Sequence, residues 1–113
     1  MPRDDIDIFS FLDYRAFLER WFETRKARNP RFSHRMLARL AGQKSPSLLL
    51  QVIQRKRNLT PTTTAAFAAA MKLTPEESAF FAALVDLDQA ADDDARNEAW
   101  RRISAERRFR AAR

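Results

Sequence analysis

The chain has 113 residues, a net charge of +6, one glycine and no cysteine. That length suits a single domain that buries a core without staples, and the missing thiols exclude disulfides and thiolate metal sites. No apolar run approaches the roughly 20 residues that cross a bilayer, and the acidic opening "MPRDDIDIF" lacks the apolar centre of a signal peptide; the cytosol is the expected compartment.

Alanine, leucine, arginine and glutamate dominate, and no alternating strand pattern occurs. Both facts predict an all-α fold, a compact bundle of about five to six helices. Asp13 is a candidate N-cap for a first helix over roughly Tyr14 to Arg28, with Tyr14, Phe17, Leu18, Trp21 and Phe22 on one face. Asn29-Pro30 ends it, because the residue before proline is pushed out of helix. Ser33 caps a second helix, about His34 to Ala41, that buries Leu37, Ala38 and Ala41. A third begins at Ser45-Pro46 and covers about residues 46–57. Thr60-Pro61 and Thr74-Pro75 start the fourth and fifth, each a hydroxyl cap followed by proline at the first helical position. Glu77 completes a capping box with Thr74. The fourth helix turns Phe67, Ala70 and Met71 inward, and the fifth carries Phe80, Phe81 and Leu84, with Val85 and Leu87 also apolar.

Two adjacent aromatics cannot both face one core squarely, so Phe80 and Phe81 are candidates for a dimer contact. The last helix starts near Ala95, behind the acidic run Asp92-Asp93-Asp94, and buries Trp100 and Ile103. Trp100 joins Phe80 and Phe81 as a candidate dimer residue. The basic tail "ERRFRAAR" is expected to fray. Residues 1–91 are thus read as one helical domain, and 92–113 as a C-terminal helix for packing or dimerisation.

Catalytic chemistry finds little here. His34 is the single histidine, so no His or Cys partner exists for a metal site. One glycine cannot build a phosphate loop. The three aspartates at 92–94 already have a structural use at a helix N-terminus. No enzyme, metal or cofactor is expected.

Charge distribution says more than net charge. From Thr24 to Pro75 there are eleven Lys or Arg and no Asp or Glu. Such a stretch generates a one-sided field that draws polyanions. Within it, residues 33–61 form two short helices joined at Gly42, whose left-handed conformation turns the chain sharply. This is the pattern of a helix-turn-helix, whose second helix enters the DNA major groove. At 100° per residue, Leu49, Val52 and Ile53 fall on one face of that helix, and Ser47, Gln51 and Gln54 on the other, with Leu50 and Arg55 flanking. Gln pairs with adenine edges, serine bonds most bases, and an aliphatic chain meets a thymine methyl. Lys44, Arg55, Lys56 and Arg57 sit at the helix ends, where phosphate contacts give affinity and orientation. Cations at a helix C-terminus also favour its dipole, but that does not account for Arg31, Arg35 and Arg39 joining them without one carboxylate.

The string "FLDYRAFLERWFETRKARNPRFSHRMLARLAGQKSPSLLLQVIQRKRNL" resembles the Cro/C1 (Xre-type) helix-turn-helix domain. It is closest to the N-terminal part of an uncharacterised bacterial family of predicted transcriptional regulators, in which a further helical domain often follows. The resemblance implies core and turn roles for Leu37, Ala38 and Gly42, and buried roles for Leu49 and Val52. It places Ser45, Ser47, Leu50, Gln51 and Gln54 where such domains touch bases, and His34 at a phosphate. Three departures stand out. Gln43 fills a usually apolar place, the connection is one residue longer, and Arg55 replaces the glycine that usually closes the recognition helix, so that helix is expected to run on to Arg57.

The leading expectation is sequence-specific binding to double-stranded DNA by a bacterial regulator, whole or lacking a C-terminal regulatory domain, with no membrane involvement. Lys44, Ser45, Ser47, Leu50, Gln51 and Gln54 would contact bases. Arg31, His34, Arg35, Arg39, Arg55, Lys56 and Arg57 would hold the backbone, with homodimerisation on paired half-sites. The alternatives are a protein-interaction module, such as an antitoxin or adaptor, that uses the basic surface, and non-specific nucleic-acid binding.

Overall fold

The computed structural model describes residues 6–112; residues 1–5 of the acidic opening and Arg113 of the basic tail lie outside it. A single 3-10 turn, Ile8–Ser10, precedes six helices: α1 (Tyr14–Arg28), α2 (His34–Leu40), α3 (Leu48–Ile53), α4 (Pro61–Ala70), α5 (Pro75–Gln89) and α6 (Asp93–Ala111). The fold is all-α, with no strand among the described residues.

Side-chain caps set most of the starts. Asp13 accepts from Arg15 N at 2.9 Å, Ser33 from Met36 N at 3.2 Å, and Asp92 from Ala95 N at 2.8 Å. Thr60 and Thr74 form capping boxes with Thr63 and Glu77. Each such cap stabilises its helix by about 1 kcal/mol. Asp92 is therefore the cap itself, and α6 begins at Asp93, before the expected Ala95. The start of α3 also differs from expectation. Ser47, not Ser45, holds the cap position, and its side chain makes no cap bond.

Three helix ends share one geometry. After α2, Gly42 (φ 70°) donates to Arg39 O and Gln43 N to Ala38 O. After α3, Arg55 (φ 66°) donates to Val52 O and Lys56 N to Gln51 O. After α4, Lys72 (φ 59°) and Leu73 repeat the pattern on Ala69 O and Ala68 O. These are Schellman motifs, which satisfy carbonyls that a helix end leaves orphaned. Two of the three left-handed positions carry a cation with a Cβ, at a steric cost that glycine avoids.

Helix α5 is the central post. Phe80 meets Phe9 with ring centroids 4.9 Å apart, while Phe81 meets Phe17 at 5.9 Å and Tyr14 at 6.3 Å. Both phenylalanines are buried, as is Leu84. The expected dimer role of Phe80 and Phe81 is thereby corrected: the post is covered on more than one side, so two adjacent rings each find a wall of the same molecule. Helix α6 packs on α5 through Ala99 and Ile103. Trp100, expected inside, is 45% exposed. The tail does not fray as expected: α6 is helical to Ala111, Arg107 Nε donates to Phe9 O at 2.9 Å, and the Arg110 guanidinium lies 3.4 Å over the Phe9 ring.

Candidate nucleic-acid interface

Helices α2 and α3 pack on each other and, through Leu37, Ala38, Leu48, Leu49 and Val52, on the core. Residues 41–47 join them, beginning with the left-handed Gly42. Gln43 is half-buried, and its amide donates to Ala41 O at 2.9 Å. That bond lets a polar side chain close the turn.

The front of α3 is uncharged and open. Leu50 and Gln54 are exposed, and Ser45, Ser47 and Gln51 are half-exposed. Gln51 Nε2 donates to Ser47 Oγ at 3.2 Å, and Arg57 Nη1 donates to Gln51 Oε1 at 3.3 Å. The side chains therefore hold one another in a row that crosses the helix front. The helix is shorter than expected: it stops at Ile53, because Arg55 takes up the left-handed cap position itself. Lys56 and Arg57 lie in the loop beyond it rather than on its last turn.

In α2 and in the segments before α2 and on either side of α3, Arg31, Arg35, Arg39, Lys44 and Lys56 are exposed and make no ion pair among the described residues. Arg57 is also exposed, and its side chain makes no ion pair among the described residues, only the hydrogen bond to Gln51. Two of the expected backbone contacts are used differently. Arg55 pairs with Asp13, the N-cap of α1. Burial raises the Asp13 pKa, but the hydrogen bonds from Arg55 and from Arg15 N, with the Arg55 charge, carry it below its ordinary value. His34 stacks on Phe22, with rings 3.9 Å apart and 12° from parallel. Burial there, and then the Lys26 charge, hold its pKa below 6.5. At neutral pH His34 is thus an uncharged ring, able to offer a hydrogen bond but no cation.

The residue that organises the site is Arg15, which the sequence reading passed over. It is 5% exposed. Its Nη1 donates to Val52 O at 2.7 Å and to Arg57 O at 2.8 Å; its Nη2 donates to Asn58 Oδ1 at 2.7 Å and reaches Asp88 Oδ2 at 3.2 Å. One guanidinium from α1 therefore holds both ends of the loop that leaves α3 and ties it to α5. Gln89 repeats the clasp one residue later. It accepts from Leu59 N at 3.1 Å, donates to Leu59 O at 2.8 Å, and accepts from the Tyr14 hydroxyl at 2.7 Å. Burial pushes the Tyr14 phenol up to about 12, with Arg15 opposing and Asp88 adding, so it stays a proton donor to Gln89. A signal for Arg15 was available: it lies three and seven residues before the buried Leu18 and Phe22, on the apolar arc of α1. Its partners lie 37 to 73 residues away and carry no comparable signal.

Comparison with protein-family models, with curated proteins and with solved structures returned no match. Among the described residues no cluster of His, Cys, Asp and Glu could hold a metal ion, and no helix is long and apolar enough to cross a membrane.

Proposed function

We propose that this chain binds double-stranded DNA sequence-specifically as the DNA-binding domain of a bacterial transcriptional regulator, with α3 in the major groove and α2–α3 acting as a helix-turn-helix. One observation carries this reading. The half-exposed, uncharged row of Ser47 and Gln51, with Leu50 and Gln54 beside it, belongs to a segment whose exposed cations Arg31, Arg35, Arg39, Lys44 and Lys56 pair with no carboxylate among the described residues. Base edges need the first kind of surface and phosphates the second. Ser45, Ser47, Leu50, Gln51 and Gln54 read bases, with Lys44 at the groove edge. Arg31, Arg35, Arg39, Lys56 and Arg57 hold phosphates, His34 adds a neutral hydrogen bond, and Arg55 acts by pinning the loop to Asp13.

Arg15 and Gln89 serve this function at one remove. Both are spent on fixing where the chain goes after α3, so the recognition helix is presented on a rigid support. A second copy on an adjacent half-site would use α6, where Trp100 is the exposed member of the three expected dimer residues.

Selection of bound duplexes from a random pool, followed by salt titration, tests the proposal. Enrichment of one motif is the expected result. A flat pool with strong salt dependence would instead indicate non-specific binding. Absence of duplex binding at low salt, with retention of an acidic protein, would point to the interaction-module alternative.

A further inference from the structure

Away from α2 and α3, the Ile8–Ser10 turn, the C-terminal half of α1, the α4–α5 link and the end of α6 enclose an open cleft of about 470 Å³. Small-molecule sites fall in the range of roughly 300–1,000 Å³. We infer that this cleft binds a compact aromatic anion, a ring system bearing a carboxylate, between Trp21 and Phe9 with its charge on Lys72.

The walls supply both halves of such a ligand. Phe9 and Trp21, both partly exposed, give ring surface, and Arg25, Lys72 and Arg110 give positive charge. Two of the cations are already oriented. The Arg25 guanidinium lies 4.7 Å over Trp21 and 5.7 Å from the Phe32 ring centre, and Arg110 covers Phe9 while pairing with Glu106 at 3.0 Å. Stacked guanidinium and ring planes form a platform on which a further flat ring can lie. The ammonium of Lys72 makes no hydrogen bond or ion pair to a described residue.

Lys72 also occupies its place against a steric preference. Its φ of 59° is one that glycine would adopt without strain. A strained residue that lines a cleft, with a charge unpartnered among the described residues, is the kind of outlier that marks a binding position. Two carboxylates line the same cleft, and both are used locally: Asp7 accepts from Phe9 N at 3.0 Å and Glu77 from Thr74 N at 2.8 Å. The Lys72 ammonium, which has no partner among the described residues, is left to meet an anion there. No residue of α2 or α3 takes part, so this inference does not depend on DNA binding.

The test is an NMR titration of the isotope-labelled chain with naphthalene-2-carboxylate. Saturable shifts are expected at the Trp21 indole N–H and at the amides of Phe9, Lys72 and Leu73. Naphthalene-2-carboxamide, the neutral isostere, should bind at least about tenfold more weakly, as should the Lys72→Glu and Lys72→Gly variants with the carboxylate. The glycine variant keeps the backbone geometry, so its loss of binding reports the ammonium and not unfolding. Equal binding of acid and amide, affinity unchanged in Lys72→Gly, or shifts centred on α3 would each overturn the inference.

Discussion

Replacing Arg15 by methionine tests the organisation of the interface most directly. Methionine keeps much of the aliphatic stem and removes the four hydrogen bonds at 2.7, 2.8, 2.7 and 3.2 Å. Their loss is unequal. Val52 O keeps its bond from Arg55 N at 3.0 Å, and Arg57 and Asn58 are exposed residues that water can reach. Asp88, with its side chain 30% exposed, is partly resolvated. The cost of burying the guanidinium also disappears, which offsets part of the loss. What remains is a destabilisation of about 2–3 kcal/mol, at the level of one charge-assisted bond and one desolvated acceptor. That is a large share of the roughly 5–15 kcal/mol that stabilises a domain. For this chain length it lowers Tm by about 10–15 °C. Urea denaturation followed by far-UV circular dichroism measures the change, with Asp88→Asn as a control that keeps an acceptor and should cost about 1 kcal/mol or less. Hydrogen exchange at the Arg55 and Lys56 amides should speed up more than exchange in α4. A loss under about 1 kcal/mol, the ordinary effect of a surface change, or unchanged protection at those amides, would refute the clamp.

Further outcomes follow from the same structure. Gln51→Ala should reduce discrimination at one base pair by roughly 1–3 kcal/mol while leaving non-specific affinity intact, measured by competition between selected and scrambled duplexes. With about six phosphates neutralised, log K should fall against log salt with a slope near −5, and Lys56→Ala should make that slope shallower for every sequence. The depressed His34 pKa means that the folded state binds a proton less readily than the unfolded state. Its contribution to stability is therefore complete above pH 6.5 and declines as pH falls from there through the folded value; His34→Gln should flatten the urea midpoint across that interval. Lys72→Gly, at φ 59°, should raise stability by about 0.5–1 kcal/mol through relief of the left-handed strain, seen as a higher urea midpoint; a lower midpoint would show that the lysine stem packs.

Local chemistry alone specified a good part of this protein. Helix class, the caps Asp13, Ser33, Thr60 and Thr74, and the left-handed turn at Gly42 follow from short-range rules, because each depends on residues within four positions of one another. Leu49 and Val52 on the back of α3, and Ser47 and Gln51 on its front, follow from the helical period in the same way. The tertiary structure decided what periodicity cannot express. Phe80 and Phe81 are both interior because α5 is walled on more than one side, whereas Trp100, on the largely charged α6, is left outside. Arg55 ends α3 early and turns to Asp13, which leaves it exposed but paired. Arg15 is buried because four acceptors from distant segments converge on one point, and that convergence exists only once α1, α5 and the loop after α3 are packed together. A buried charge is tolerated only where such partners are assembled around it, and assembly is a property of the fold rather than of any stretch of sequence.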